Sequence, residues 1–397
     1  MAAGYAGENG AKVLILEKNK QLGVKLLLTG NERCNLTNNI SVRDMVKAFG
    51  PHGKFLFSAL SKFEASDTIN FFEERGVKIK IENNYRAFPV SNKARDVLNA
   101  LLDYLKQSQV DISVGSEVKK IILKDNSITK IILTNGRELS AKNFIIATGG
   151  KSYHLTGSTG DGYSWLSSFG HNIIKPLPAI VPIIVKNKFI KDLEGVSLSE
   201  AKFIFKKDNK IITSRIGEAI FTANGLSGPA ILAVSGLISR SLPNIKLTID
   251  FLPNEESADF DLRLQKLFAD NNNRQIKNVF SGLLPPKLIT VLLKLANISS
   301  ELKINQITRS DRQNLVKSIK SLELEVERVD GFNNAMVTTS GVDLKEVDSK
   351  TMKSKIIFNL YLAGEILDLD GPTGGFNLQV CWSTGRLAGG SATKNLI

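Results

Sequence analysis

The sequence predicts an α/β protein in which one parallel-sheet domain, drawn from both ends of the chain, is interrupted by an inserted β-rich and helical domain. Three observations predict it. Short, mostly apolar runs occur near both ends and in the first half of the chain, at Lys12–Leu16 (KVLIL), Phe144–Ile146 (FII) and Leu360–Ala363 (LYLA), as expected of strands buried on both faces of a parallel sheet. From 183 to about 250 the pattern becomes short strands around polar turns, and from 260 to 320 it becomes mostly helical. The buried-strand pattern then returns at Leu360.

Taken in order, residues 1 to 10 read as the latter part of a helix ending at Gly10, followed by the KVLIL strand closed by Glu17. Ser66 and Ser91 stand where N-caps are expected, and Ala94, Leu98, Leu101 and Leu105 share one helical face. Alternation from Ile112 to Ile146 predicts a small meander with turns at Asp125-Asn126 and Asn135-Gly136. Pro176, Pro178 and Pro182 mark the change of character, Leu284-Pro285-Pro286 breaks the helical stretch, and Leu322–Val329 reads as a strand. The expected domains are therefore 1–180 with 345–397, and an insert over 181–344. Within the insert, 181–250 and 322–344 are expected to be β-rich and 251–321 helical.

The 397 residues carry 42% hydrophobic and 23% charged side chains, the composition of an ordinary globular protein. Neither an apolar run of about 18 residues nor a charged-then-apolar leader is found, so no membrane partner and a cytoplasmic location are expected. Cys34 and Cys381 stand alone, which argues against a disulfide framework or a thiolate metal site; no metal is expected. The net charge of +13 attracts anions at a distance, yet Lys and Arg are scattered apart from Lys206, Lys207 and Lys210. A generally basic solvated surface is the preferred reading, and no aromatic-rich platform favours a nucleic-acid partner.

Chemistry concentrates at the end of the chain, in LYLAGEILDLDGPTGGFNLQVCWSTGRLAGG, Leu360 to Gly390. A strand here delivers Gly364 and Glu365, and a glycine pair, Gly374-Gly375, opens a helix whose free N–H groups suit an anionic ligand. Glu17, at the end of an earlier strand, is placed either to accept hydrogen bonds from ribose hydroxyls or simply to meet solvent. Three further segments carry polar and glycine residues: LGVKLLLTGNERCNLTN (22–38), FIIATGG (144–150) and SYHLTGSTGDGYSWLSSFGH (152–171).

Together these segments resemble the HI0933-like family, also described as BaiN/YhiN-type or aminoacetone oxidase-like flavoproteins, over nearly the whole chain. The resemblance implies a Rossmann-like FAD-binding domain of the two-dinucleotide-binding flavoprotein type, interrupted by a β-barrel-like and helical substrate or cap domain. It implies FAD contacts at Glu17, Lys18, Lys25, Thr29, Gly30, Arg33, Cys34, Asn35, Val118, Thr148, Gly149, Gly150, Gly364, Glu365, Gly374, Gly375, Phe376, Asn377 and Leu378. Lys25 and Arg33 would offset phosphate charge, Glu365 would meet the ribityl or pyrophosphate portion, and 374–378 the pyrimidine edge of the flavin. Cys34 lies either near the flavin or as an inert buried thiol. Thr338, Thr339 and Gly341 of AMVTTSGV would line the substrate side.

Family members carry a strand and Gly-rich turn ahead of the position of Glu17; Gly4 and Gly7 do not reproduce that turn. The resemblance implies hydride transfer through FAD to or from a small organic substrate, with NAD(P)H as electron donor. The alternatives are a catalytically silent remnant that binds FAD weakly, and a flavoprotein acting on nucleic acid. No catalytic residue is assigned: His52, His154 and His171 read as structural or surface groups. The oligomeric state is open.

Overall fold

The computed structural model describes residues 1–280 and 282–394, so the last three residues of the expected C-terminal segment lie outside it. The chain divides into two compact units, one of Met1–Leu177 with Met336–Ile397 and the other of Pro178–Ala335.

In the first unit, the strands Leu14–Leu16 and Asp111–Ser113 pair in parallel, as do Phe144–Ile146 and Leu360–Leu362. The second pairing joins segments more than 200 residues apart, and every residue of Leu360–Leu362 is buried. The helix Phe376–Lys394 runs through this core. It packs against the N-terminal helix Ala2–Glu8, and a Cβ at Gly389 would come within 2.3 Å of the Ala2 carbonyl oxygen. The meander is present as Val118–Lys124, Ser127–Leu133 and Glu138–Leu139, with left-handed Asp125 and Asn126 at the first turn.

Two capping expectations fail. Ser66 lies inside the helix Ala65–Glu73, because Glu64, two residues earlier, forms a reciprocal capping box with Asp67. The helix Ala94–Gln107 has Lys93 at its N-cap position, while the Ser91 hydroxyl accepts the Lys93 N–H at 3.3 Å within the preceding turn.

The second unit is a closed antiparallel barrel in the order 183–185, 225–227, 210–222, 197–207, 245–250 and 322–329. Along Ser197–Lys207, Leu198, Ala201, Phe203 and Phe205 point inward, and Phe221, Leu247, Ile249 and Leu324 join them in the core. The helices Ser257–Ala269, Pro286–Leu295 and Arg309–Lys320 complete this core through Phe260, Leu264, Leu288, Leu292, Leu315 and Ile319.

Candidate functional site

The site is built within the first unit, starting at the end of the strand Leu14–Leu16. Glu17 Oε1 accepts the Asn19 N–H at 2.8 Å, which curls the chain immediately after the strand. Asn19 Nδ2 donates to the Thr156 carbonyl at 2.9 Å. Lys18 Nζ reaches Thr159 Oγ1 at 2.5 Å and Asp161 Oδ2 at 2.7 Å, tying this turn to the glycine-rich segment after FIIATGG. The lysine and hydroxyl contacts hold the Asp161 carboxyl below its usual range despite the opposing effect of burial. Gly115 and Ser116 N–H groups bond to the Asn19 and Glu17 carbonyls, which brings the start of the Val118 strand to the same end of the sheet.

The next cluster forms around Glu365. Lys25, on the short helix Val24–Leu28, places Nζ 2.7 Å from Glu365 Oε2 and 3.0 Å from Ser152 Oγ. Glu365 Oε1 accepts the Thr338 N–H at 2.7 Å and the Ser152 hydroxyl at 2.9 Å. Oε1 is thereby saturated, whereas Oε2 keeps acceptor capacity for another hydroxyl. Tyr163 donates its hydroxyl to the Glu365 carbonyl at 3.2 Å, and burial together with the Glu365 and Asp368 carboxylates raises its pKa.

Gly149 and Gly150 flank this cluster and differ. A Cβ at Gly150 would lie 2.2 Å from Thr338 Oγ1, so that glycine is required by packing. Gly149 has φ 72°, and a Cβ there would meet only Ser158 Oγ at 3.2 Å and Glu365 Oε2 at 3.9 Å. Any side chain at Gly149 would therefore be met by polar groups alone. Thr148 Oγ1 faces Gly162, where a Cβ would lie 2.3 Å away. Gly364, at φ 76°, lies against Cys381.

A third group gathers at the start of the C-terminal helix. The Asn35 amide, oriented by its neighbours, accepts the Gly375 N–H at 3.1 Å and donates to the Thr37 and Ala87 carbonyls. Gly375 packs so closely on Thr37 that a Cβ would lie 2.3 Å from its carbonyl carbon. A Cβ at Gly374 would make ordinary contacts only, with Asn38 Nδ2 at 3.5 Å and with the Arg86 stem and Phe376 ring at 3.6 Å, and the Gly374 carbonyl accepts from Asn38 at 3.1 Å. Asn377 clasps the preceding turn, accepting the Gly371 N–H at 2.8 Å and donating to the Gly371 and Pro372 carbonyls. Phe376 packs edge-on against Phe49, and Leu378 is partly buried. The N–H groups of Phe376, Asn377 and Leu378, in the first turn of a 19-residue helix, have no acceptor within that helix.

Several expected residues are engaged elsewhere. Arg33 pairs with Glu82, bonds Asn92 Oδ1 at 2.9 Å and lies over the Phe88 ring. Thr29 Oγ1 donates to the Leu26 carbonyl, and a Cβ at Gly30 would crowd the Asn35 N–H. Cys34 is fully buried, and burial pushes its thiol up to about 12, so it matches the inert reading. Thr338 serves Glu365 and Ser152, while Thr339 donates to Asp370 Oδ1. Sequence reasoning did not single out Ser152, Asn19 or Asn38. Their signal is long-range contact, which a linear pattern does not carry. His171 is buried between Glu346 and Ser354, and His52 Nδ1 bonds the Asp368 carbonyl.

The donor set fits a dinucleotide. It combines cationic Lys18 and Lys25, acceptors at Glu17 and Glu365, left-handed glycines at 149 and 374 bordered by polar groups, and a helix terminus rich in N–H groups. Among the described residues no cluster of His, Cys, Asp and Glu has the form of a metal site, and no helix is long and apolar enough to cross a membrane.

The model of the HI0933-like protein Rossmann domain matches residues 1–391. A 3-dehydro-bile acid delta(4,6)-reductase of Clostridium scindens is 32% identical over 99% of this chain and 95% of its own length. A ribosomal RNA dihydrouridine synthase of Escherichia coli is 28% identical over 96% of this chain and 91% of its own. Among solved structures, a 3-ketosteroid-Δ4-(5α)-dehydrogenase from Rhodococcus jostii superposes with a TM-score of 0.52 at 14% identity, covering 99% of this chain and 94% of that one, a likeness of fold. This chain is a member of the HI0933-like Rossmann-domain family.

Proposed function

We propose that the protein is an FAD-dependent oxidoreductase that saturates a carbon–carbon double bond conjugated to a carbonyl group in a small organic molecule, with NAD(P)H as electron donor. The two curated relatives share that chemistry by name. A 3-dehydro steroid with Δ4,6 unsaturation and a uracil ring each present an alkene made electron-poor by a carbonyl. The observation that carries the reading is the convergence of Lys25 and Glu365, from opposite ends of the chain, beside the left-handed backbone of Gly149.

In this reading residues 1–180 and 345–397 hold FAD and 181–344 contribute to substrate binding. Glu17, Lys18 and Val118 serve the adenosine end, where the spare carboxylate oxygen of Glu17 accepts a ribose hydroxyl. Lys25 and the backbone of Thr148, Gly149 and Gly150 serve the pyrophosphate. Glu365 accepts a ribityl hydroxyl through Oε2, with Gly364 setting its approach. The N–H groups of Phe376, Asn377 and Leu378 present fixed positive partial charge to the pyrimidine edge, and Gly374 and Gly375 let the backbone come close. Thr29, Gly30, Arg33, Cys34 and Asn35 shape the loop that supports this terminus. Bound FAD supplies two-electron transfer between donor and acceptor.

The test is to reconstitute the purified chain with FAD, reduce it anaerobically with NADH or NADPH, and add a 3-oxo-4-ene steroid. Retained flavin that is reduced by the nucleotide and reoxidised by the enone is expected. Failure to retain flavin, or no reoxidation by any conjugated enone, overturns the proposal. The net charge of +13 favours a second reading, in which uridine in RNA is the acceptor. Reoxidation by a uridine-containing RNA and by no steroid would select it. A cytoplasmic location accords with both readings.

A further inference from the structure

A cavity of about 190 Å³ opens in the first unit where the last turns of the helices Gly53–Lys62 and Phe376–Lys394 meet the loop 348–353. Lys62, Lys350, Lys353 and Lys394 line it, together with the hydroxyl-bearing Thr351 and Ser391. Among the described residues, no carboxylate lines it. Among the described residues, none of these four ammonium groups forms an ion pair; Lys62 Nζ donates only a long bond to the Lys350 carbonyl, 3.4 Å.

The loop backbone that carries two of these lysines is fixed by its own hydrogen bonds. Asp348 Oδ1 accepts the N–H groups of Lys350 at 2.8 Å and Thr351 at 3.0 Å, and the Thr351 hydroxyl at 3.0 Å. Its charge is therefore directed into the loop backbone. The Asp348 N–H bonds the Lys353 carbonyl at 2.9 Å, and Met352, left-handed at φ 62°, is fully buried beneath. A basic residue at a helix C-terminus needs no ligand, since the helix dipole attracts it. That accounts for Lys62 and Lys394. It does not account for two more lysines on a hydrogen-bonded loop lining the same cavity, where like charges repel.

We infer that this cavity is an anion site for phosphate groups. Its volume equals that of roughly six liquid waters, room for a diphosphate or for one phosphodiester linkage. The inference is independent of the flavin reading, because none of these residues belongs to the proposed cofactor site.

The test titrates the full chain at low ionic strength with sodium pyrophosphate and, separately, with a short unstructured RNA, beside a variant carrying Lys350→Ala and Lys353→Ala. The variant is expected to bind at least one probe about tenfold more weakly and to melt at the wild-type temperature. Loss confined to pyrophosphate identifies a free-phosphate site. Loss for RNA, with a salt dependence shallower by about two counterions, identifies a backbone-phosphate site. As a measurement on the unmodified chain, pyrophosphate should shield Lys350 and Lys353 from acetylation. Unchanged affinity for both probes, or no shielding by pyrophosphate together with unchanged RNA affinity, overturns the inference.

Discussion

Breaking the Lys25–Glu365 pair tests the centre of the proposed site. At 2.7 Å and an effective dielectric near 20, the raw attraction is about 6 kcal/mol. The side chains keep 24% and 15% of their exposure, so the pair lies between a surface bridge, worth about 0–1 kcal/mol, and a buried one, whose rupture costs about 3–5 kcal/mol. Desolvation offsets most of the attraction, leaving an expected coupling of about 1–2 kcal/mol. Lys25→Met should cost about 2–3 kcal/mol, because Glu365 then keeps only Ser152 and the Thr338 N–H. Adding Glu365→Gln should recover part of that loss. The assay is a double-mutant cycle by urea unfolding. Both tryptophans, Trp165 and Trp382, lie in the unit that holds the pair, so their fluorescence reports on it. A coupling below about 0.5 kcal/mol would refute the reasoning: the contact would then be a solvated one that organises nothing.

Two further predictions concern other residues. Gly150→Ala should destabilise by about 1–3 kcal/mol through overpacking against Thr338, whereas Gly149→Ala should cost only the left-handed strain of about 1–2 kcal/mol yet lower flavin retention more; comparing melting temperature with bound flavin for both variants checks this, and equal flavin losses at equal stability would count against it. His171 is held below its ordinary pKa of 6.5 by burial, with Glu346 opposing. The unfolded chain therefore takes up that proton first, so stability is full above about pH 6.5 and declines as the pH falls toward the folded-state value. His171→Gln should flatten the decline between pH 7 and 5, and an unchanged slope in urea unfolding would remove His171 as its source.

Much of the fold was legible because strand and helix patterns are local. The strand leading to Glu365, the hairpin turns at Asp125-Asn126 and Asn135-Gly136, and Leu322–Val329 follow from apolar runs and turn residues. Capping was misread at Ser66 and Ser91 because a Ser before an apolar face predicts a cap only when no competing acceptor precedes it. Glu64 supplied that acceptor for the first helix. At the site, the residue types were readable but their partners were not. Ser152 meets Glu365 across 213 positions, and the approach of Asn35 to Gly375 spans most of the chain. Arg33 shows the converse: a cation in a promising segment is taken by Glu82 and Phe88, which only the tertiary structure supplies.

The glycine pairs show why motif and mechanism separate. Each of Gly149-Gly150 and Gly374-Gly375 contains one residue where a Cβ would collide with the protein at 2.2–2.3 Å and one where it would come no closer than 3.2 Å. In both pairs the packed member fixes the backbone: Gly150 under Thr338 and Gly375 on Thr37. The open member is left free to present its surface, at φ 72° for Gly149 and 114° for Gly374. Sequence alone marks all four alike, since any reason for excluding a side chain reads as Gly. The physical division matters for interpreting variants. Loss of flavin after changing Gly375 would follow from displacing Thr37 even if no ligand came near, so it carries little weight for the site. Substituting Gly149 or Gly374 adds left-handed strain but displaces no backbone neighbour, so a flavin defect larger than the stability loss there bears directly on the ligand.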